Sequence, residues 1–232
     1  MVQINLDSHL LNYIIERNIE PGELLPPIKE LATDEHLGIS SSKVREQLEV
    51  ARAMSLVDVR TNVGIRLRAF DFAPVVRLGV LYALARDIAS FEHFGTLRIH
   101  IEVAFWDEAC SVLLPEDLLT MREAITQARA KLKSHPIQLP HREHRTFHLT
   151  MFQRLDNPFV TGILEAYWDA YDAVAISHYA DYSYWQQVWD YHERILNCIE
   201  AQDYAQAKQN FIEHTSLLRY PQPNHAEQDA QA

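Results

Sequence analysis

The amino-acid sequence predicts a mainly α-helical protein with one small β-hairpin, and three observations support this prediction. Only 6 of the 232 residues are glycine, while hydrophobic residues make up 47% of the chain. Apolar residues recur at helical spacing through most of the chain beyond residue 75. Between residues 57 and 68 they instead alternate with charged residues on both sides of a turn-forming segment. A chain of this length also accommodates two domains.

Two helices are predicted before residue 38. Ser8 or Asp7 can cap the first, whose apolar residues over 10–15 repeat at helical spacing. The second covers residues 27–37 and should end at Gly38, because glycine readily adopts the left-handed backbone conformation that stops a helix.

A third helix and the hairpin follow. The serines at 40–42 are good N-caps for a helix over 43–52. The residues predicted to form its buried stripe are Val44, Leu48 and Ala51. Those on the opposite face are Arg45, Glu49 and Arg52. The hairpin pairs the alternating segments 57–60 and 65–68, with TNVG at 61–64 as its turn.

Three helices followed by a basic hairpin are the layout of a winged helix-turn-helix. In that layout the third helix enters the major groove of DNA, and the hairpin touches the backbone or the minor groove. Residues 43–68 carry six basic and three acidic side chains, although the formal net charge of the whole chain is −11. The alternative is a small helical subdomain with a charged, solvated face. The candidate DNA contacts are Ser40, Ser41, Ser42, Lys43, Arg45, Arg52, Gly64 and Arg66.

Beyond a predicted linker at 69–74, the pattern is helical to about residue 218. The predicted helices cover 75–92, 95–113, 116–134, 140–155, 158–180, 183–201 and 204–218. The segment 220–232 is polar and lacks periodicity, so we expect a disordered tail there.

Histidines form a second candidate site. His144 and His148 lie four residues apart in a predicted helix, so their side chains should face the same way, one turn apart. His192 and His214 lie in two later helices. Neutral imidazole is the commonest protein ligand for a borderline divalent metal, so the four could close around one ion. The alternative is that a chain with 12 histidines contains such a pair by chance.

The sequence also indicates the cellular compartment in which the protein is expected. No apolar run approaches the roughly 20 residues that a membrane span needs, so we expect no membrane association. The N-terminus has no basic region before an apolar stretch, so no secretion signal is expected. Cys110 and Cys198 are too few for a disulfide framework, which favours a reducing cytoplasm.

Four segments match a known DNA-binding domain in order and spacing. They are PGELLP at 21–26, LATDEHLGIS at 31–40, KVREQL at 43–48 and LVDVRTNVGI at 56–65. Together they resemble the N-terminal domain of GntR-type bacterial transcription regulators. That family usually has arginine directly after the serine of its Val-Ser-Arg motif, where this chain has Ser41. The departure alters one phosphate or base contact, so we expect an operator that differs from the family norm.

The rest of the chain carries three further motifs. Arg98 and Glu102 match an Arg-x-x-x-Glu helix, and residues 147–158 match a segment that begins with Phe-His and ends with Asn-Pro. The stretch from His192 to His214 matches the most distinctive motif, including the gap between its two histidines. These motifs resemble the all-helical FCD domain of the FadR-like branch of the same family. With the N-terminal match, the resemblance covers about nine-tenths of the chain.

The resemblance implies a metal site. Many members of that family bind a divalent metal through an aspartate and three histidines, and the histidines carry over to His148, His192 and His214. The aspartate does not carry over, because His144 stands in its place. The extra imidazole removes a negative charge and favours Zn²⁺ or Ni²⁺ over Mn²⁺ or Mg²⁺. Alternatively, His144 swings away and three ligands remain.

The resemblance also implies a small organic-acid effector held near the metal. Arg98 is the candidate carboxylate clamp, because a guanidinium binds a carboxylate in a bidentate fork. Glu102 is the candidate that orients Arg98. The alternative for both residues is an intrahelical pair four residues apart, which contributes little.

We therefore expect a transcription regulator, a repressor and not an enzyme, that binds double-stranded operator DNA as a homodimer. The expected domains are a DNA-binding domain at 1–69 and a metal- and effector-binding domain at 75–219. One alternative is a metal-responsive regulator in which the ion itself is the signal. The other is a metalloenzyme with Glu143 as general acid or base, although an enzyme would not need the N-terminal domain.

Overall fold

Eleven helices and three short strands make up the part of the chain that this computed structural model describes, residues 4–174 and 182–217. The predicted fold class is confirmed: three helices and a small sheet come first, and the rest is helical. The chain divides into two units, Met1–Val75 and Val76–Ala232. The predicted disordered tail at 220–232 lies outside the described residues.

The N-terminal helices are α1 (His9–Glu16), α2 (Ile28–Leu31) and α3 (Ser41–Ala53). Ser8 caps α1, as predicted, because its hydroxyl accepts a hydrogen bond from the Leu11 backbone N–H. Ser40 caps α3 in the same way and accepts from the Lys43 backbone N–H. The predicted stripe of α3 is buried, and Gln47 joins it.

The second helix is shorter than predicted and ends at Leu31 rather than Leu37. Asp34 explains the difference, because its side chain accepts a hydrogen bond from the His36 backbone N–H at 2.9 Å. That local bond competes with the helical hydrogen-bond pattern. Gly38, with a φ of +61°, still adopts the left-handed conformation at the end of the segment.

The strands β1 (Leu24–Leu25), β2 (Val57–Arg60) and β3 (Gly64–Leu67) form one antiparallel sheet in the order β1-β3-β2. β2 and β3 are the predicted hairpin, and Gly64 has a positive φ of +111° at the end of its turn. The sequence pattern does not predict β1, because two residues are too few to show an alternation.

Eight helices follow. They are α4 (Ala73–Arg86), α5 (Ser90–Ala104), α6 (Trp106–Val112), α7 (Pro115–Leu132), α8 (His141–Phe152), α9 (Pro158–Ala173), α10 (Tyr182–Glu200) and α11 (Tyr204–Thr215). α4 begins inside the predicted linker, because the Asp71 carboxylate accepts a hydrogen bond from the Ala73 backbone N–H at 3.0 Å.

The single helix predicted over 95–113 is instead two helices, α5 and α6. The chain breaks at Phe105, whose φ of −93° and ψ of 6° leave the α-helical conformation. The break directs Trp106 inward, where its ring centroid lies 4.9 Å from that of Phe211. The Trp106 indole also donates to the Tyr204 carbonyl at 3.3 Å, so α6 anchors α11.

The C-terminal helices enclose both an apolar core and a group of buried polar side chains. α10 packs against α7 and α11, and α8 packs against α7 and α9. The polar group comprises Arg98, Glu102 and four histidines. Throughout 4–174 and 182–217, each helix is too short or too polar to cross a membrane.

Candidate functional site

Three helices bring four histidines together. α8 supplies His144 and His148, α10 supplies His192, and α11 supplies His214. One ligand atom from each lies within 4.8 Å of the others, and all four side chains are buried. The structure thus gathers all four candidate ligands, His144 included, into one cluster.

The spacing and the chemistry of this cluster fit a divalent ion. His148 Nε2 and His192 Nε2 lie 3.1 Å apart. Two nitrogens that bind one zinc ion at about 2.0–2.1 Å, at tetrahedral or right angles, lie about 2.8–3.4 Å apart. Both ring nitrogens of His144, and Nδ1 of His214, form no hydrogen bond with any described residue. Buried polar atoms without partners are costly, so their convergence points to a ligand.

Burial keeps the four imidazoles neutral. Desolvation lowers the pKa of His144, His148 and His192 well below the usual range, and lowers the pKa of His214 to about 3. The nearby Arg98 guanidinium adds to the decrease at each ring. Since neutral imidazole is the form that binds a metal, none of the four rings has to lose a net proton before it ligates at neutral pH.

Arg98 and Glu102 of α5 border the cluster. Both side chains are buried, and Arg98 Nε lies 2.6 Å from Glu102 Oε2. Arg98 Nη2 lies 2.9 Å from His148 Nδ1, and Glu102 Oε1 lies 3.5 Å from the same nitrogen. Desolvation raises the pKa of Glu102 to about 7, although the adjacent guanidinium opposes that shift. The intrahelical pair considered above is therefore present, and it also contacts His148.

Four aromatic side chains surround His144. Its ring centroid lies 4.8 Å from Trp168, 5.8 Å from Tyr171, 5.7 Å from Trp185 and 6.2 Å from Trp189. Their indole N–H and phenol O–H groups are buried and have no partner among the described residues. The sequence alone does not assign these residues, because aromatic residues at helical spacing usually belong to a core.

Glu143 lies outside the histidine cluster. Its carboxylate is buried and forms an ion pair with Lys131 of α7 at 2.7 Å. The residue considered as a general acid or base is therefore engaged with a cation on a neighbouring helix.

The basic side chains of α3 that are candidate DNA contacts differ in whether they already form an ion pair. Lys43 pairs with Glu46 at 2.7 Å, and Arg52 pairs with Glu49 at 2.6 Å. Arg45 is exposed, and no ion pair or hydrogen bond joins its side chain to another described residue. Arg45 therefore presents an uncommitted guanidinium on the exposed face of α3.

The other candidate DNA contacts lie at the start of α3 and in the hairpin. Ser41 and Ser42 occupy the first turn of α3, and Ser42 is exposed. Arg66 donates a hydrogen bond to the Gly22 carbonyl, which ties β3 to the segment before β1. Gly64 is exposed at the start of β3.

The chain matches the family model of the FCD domain over residues 94–217. Its fold is similar to the structure of Streptococcus agalactiae GntR, with a TM-score of 0.64, 16% identity and coverage of 90% of this chain and 94% of that chain. E. coli McbR/YncC gives a TM-score of 0.48 at 16% identity, with coverage of 91% and 95%. A GntR-family transcriptional regulator from Pseudomonas syringae pv. tomato gives 0.45 at 21% identity, with coverage of 89% and 78%. No curated protein matches the chain.

Proposed function

This chain belongs to the FCD-domain branch of the GntR-type transcription regulators, and we propose that it is a repressor controlled by a small organic acid. In this proposal the N-terminal unit binds operator DNA, and the C-terminal unit binds the acid next to a divalent metal. The observation that carries it is the cluster of four buried histidines beside the Arg98 guanidinium. An effector controls operator binding only if it binds the DNA-competent and released states with different affinity.

The proposed metal ligands are His144, His148, His192 and His214. Four neutral nitrogen donors favour Zn²⁺ or Ni²⁺ over Mn²⁺ or Mg²⁺, which prefer oxygen ligands. The bound ion would supply a Lewis acid and a positive charge for the oxygen atoms of an acid. The surrounding side chains would bind and orient the rest of the molecule.

The lining beyond the histidines favours an effector with many acceptor oxygens. A guanidinium has only donors, and the indole N–H groups of Trp168, Trp185 and Trp189 have no acceptor among the described residues. A carboxylate that also carries hydroxyl, keto or further carboxylate oxygens would satisfy these donors. The positive charge of Arg98 and these indole donors would disfavour a cationic ligand.

Replacing Arg98 by lysine should weaken the response to the effector. Lysine keeps the charge but lacks the planar fork that holds a carboxylate through two hydrogen bonds. Because a hydrogen bond to a charged group contributes about 1.5–3 kcal/mol, release should need about tenfold more effector or higher. Fluorescence anisotropy of labelled operator, titrated with sugar acids, hydroxy acids and dicarboxylates, measures this response.

The matched control is Arg86→Lys, which makes the same exchange at an exposed position in the last turn of α4. It should respond like the wild type, and both variants should still bind operator and metal. An identical response of Arg98→Lys and wild type to the active acid would assign Arg98 a purely structural role.

The N-terminal unit is proposed to read one half of a near-palindromic operator as part of a homodimer. One short recognition helix contacts only a few base pairs, so a single copy would recognise too short a sequence. Two-fold pairing of the chains would match the two halves of the operator.

Replacing Arg45 by alanine should weaken operator binding by about 1–3 kcal/mol if the guanidinium reads a base. Its free position on the exposed face of α3 is the reason to single it out. Anisotropy titrations at fixed salt measure the affinity, and Arg86→Ala controls for the loss of one positive charge elsewhere. Unchanged affinity in Arg45→Ala alone would contradict the assignment of α3 as the recognition helix.

A metal-responsive regulator is the second candidate, and the number of imidazoles favours it. Four nitrogens complete a tetrahedral shell, which closes a zinc site and leaves no position for an acid oxygen. Operator affinity measured with and without chelator, in the absence of any acid, separates the two candidates. A change caused by metal alone supports the metal-responsive regulator, whereas a change that also needs the acid supports the first proposal.

A further inference from the structure

The hydrogen bonds of His148 place its proton on the wrong nitrogen for metal binding. The Arg98 guanidinium only donates, so His148 Nδ1, 2.9 Å from Nη2, accepts that hydrogen bond. The neutral ring therefore carries its proton on Nε2, which donates to His192 Nε2 at 3.1 Å. Nε2 is the nitrogen of His148 that faces the cluster, and a protonated nitrogen has no lone pair for a metal.

Glu102 supplies the acceptor that the other tautomer needs. Ligation through Nε2 requires the proton of His148 on Nδ1, and Arg98 cannot accept it. Glu102 Oε1 lies 3.5 Å from Nδ1, so a small approach forms the hydrogen bond. A carboxylate behind a ligating histidine fixes the tautomer and makes the ring a stronger ligand. The carboxylate is buried and already held, because Arg98 Nε lies 2.6 Å from Oε2.

We propose that Glu102 is a positioning residue that turns His148 into a metal ligand by an exchange of the ring's tautomer. On ligation, His148 loses the proton on Nε2 and gains one on Nδ1, so the ring stays neutral and no net proton is exchanged. Nδ1–H donates to Glu102 Oε1 in place of the hydrogen bond that Nδ1 accepts from Arg98 Nη2, while Arg98 Nε remains beside Oε2. The inference rests on the proposed metal site and deepens it, because it names the residue that fixes the tautomer of one of the four ligands.

The tautomer of His148 in the full-length protein, with and without zinc, tests this exchange directly. Two-bond ¹H–¹⁵N correlations in histidine-labelled protein distinguish a ring protonated on Nε2 from one protonated on Nδ1. The spectrum of His148→Ala identifies the signals of this ring. We expect Nε2–H in the metal-free protein and Nδ1–H in the zinc-loaded protein.

Zinc affinity, measured by competition with a chromophoric chelator, separates positioning from packing. Glu102→Gln should bind zinc about 10–100-fold more weakly. Its matched control, Glu200→Gln, removes a carboxylate that pairs with Arg122 at 2.6 Å and should leave zinc affinity unchanged. Arg98→Lys should bind zinc at least as tightly as the wild type, because it keeps the charge but removes the bond that favours Nε2–H. A purely structural pair would weaken zinc binding in both the Glu102 and Arg98 variants.

The outcomes also distinguish this inference from the proposed function. The positioning role is contradicted if the zinc-loaded protein still has His148 protonated on Nε2. It is also contradicted if Glu102→Gln and Arg98→Lys lose zinc affinity equally. Neither result contradicts the metal site itself. A wild-type protein that binds no zinc overturns both.

Discussion

Acidifying the metal-free protein from pH 7 toward pH 4 should unfold its C-terminal unit. Burial lowers the pKa of His144, His148 and His192 well below the ordinary value of 6.5, and that of His214 to about 3. Above pH 6.5 neither the folded nor the unfolded chain protonates these rings, so their contribution to stability is complete. Below it, the unfolded chain binds protons that the folded chain excludes, and the free energy of unfolding falls until the folded pKa is reached.

The expected size of this effect rivals the stability of a whole domain. Each histidine lowers the free energy of unfolding by about 1.4 kcal/mol per pH unit in this window. For His214, the interval from 6.5 to about 3 corresponds to about 5 kcal/mol, against about 5–15 kcal/mol for a typical domain. Glu102 has the opposite effect, because burial raises its pKa from 4.5 to about 7. Its protonation therefore increases the free energy of unfolding as the pH falls. One carboxyl does not offset four imidazoles.

Urea unfolding followed by tryptophan fluorescence, in chelator and at a series of pH values, measures this dependence. His214→Gln should make it shallower by about one proton, since the variant lacks one excluded proton. His93→Gln removes an exposed histidine of α5 and should leave the dependence unchanged. A free energy of unfolding that stays constant from pH 7 to about 5 would show that the buried rings do not exclude protons.

Removing one imidazole from the cluster should abolish tight metal binding. The wild type should hold one divalent ion per chain, Zn²⁺ or Ni²⁺, through the four histidines. His214→Ala should bind it at least about 100-fold more weakly, because three imidazoles do not complete the coordination shell. With free ion at 1,000 times the Kd, binding stabilises the wild type by about 4 kcal/mol, and this gain should vanish in the variant.

Elemental analysis and thermal melts with and without added metal provide the measurements. His93→Ala is the control, because it removes an exposed imidazole from the same unit. It should keep one ion per chain and the full metal-dependent rise in Tm. Wild-type protein that carries no metal, after purification without chelator and after incubation with Zn²⁺ or Ni²⁺, would contradict the site.

The local features of this protein follow from its sequence. Ser8 and Ser40 cap their helices as predicted, because a capping side chain bonds to a backbone N–H only two or three residues away. His144 and His148 share one face of α8, because helical geometry places residues four apart one turn from each other. The fold class can also be predicted from the sequence, since it depends on periodicity within each segment.

The ends of the helices are harder to predict from the sequence. The apolar pattern and Gly38 are compatible with a helix up to Leu37, yet the bond from His36 to the Asp34 carboxylate ends α2 early. The division of 95–113 at Phe105 depends on burying Trp106 against α11, which is distant in the chain. Helix boundaries therefore respond to contacts that a short window of sequence does not contain.

Only the tertiary structure decided which side chains surround the histidines and how the site residues contact one another. His148 contacts His192, which is 44 residues away in the sequence, and Arg98, which is 50 residues away. The periodicity of one helix does not specify which face of another helix it packs against. The sequence places Trp185 on an apolar helix face, where an indole usually belongs to a core. Only packing brings its ring 5.7 Å from that of His144 and leaves its N–H without a partner among the described residues. The tautomer of His148 likewise follows from the donor-only guanidinium that the fold places beside Nδ1, because proton positions depend on the partners that packing supplies.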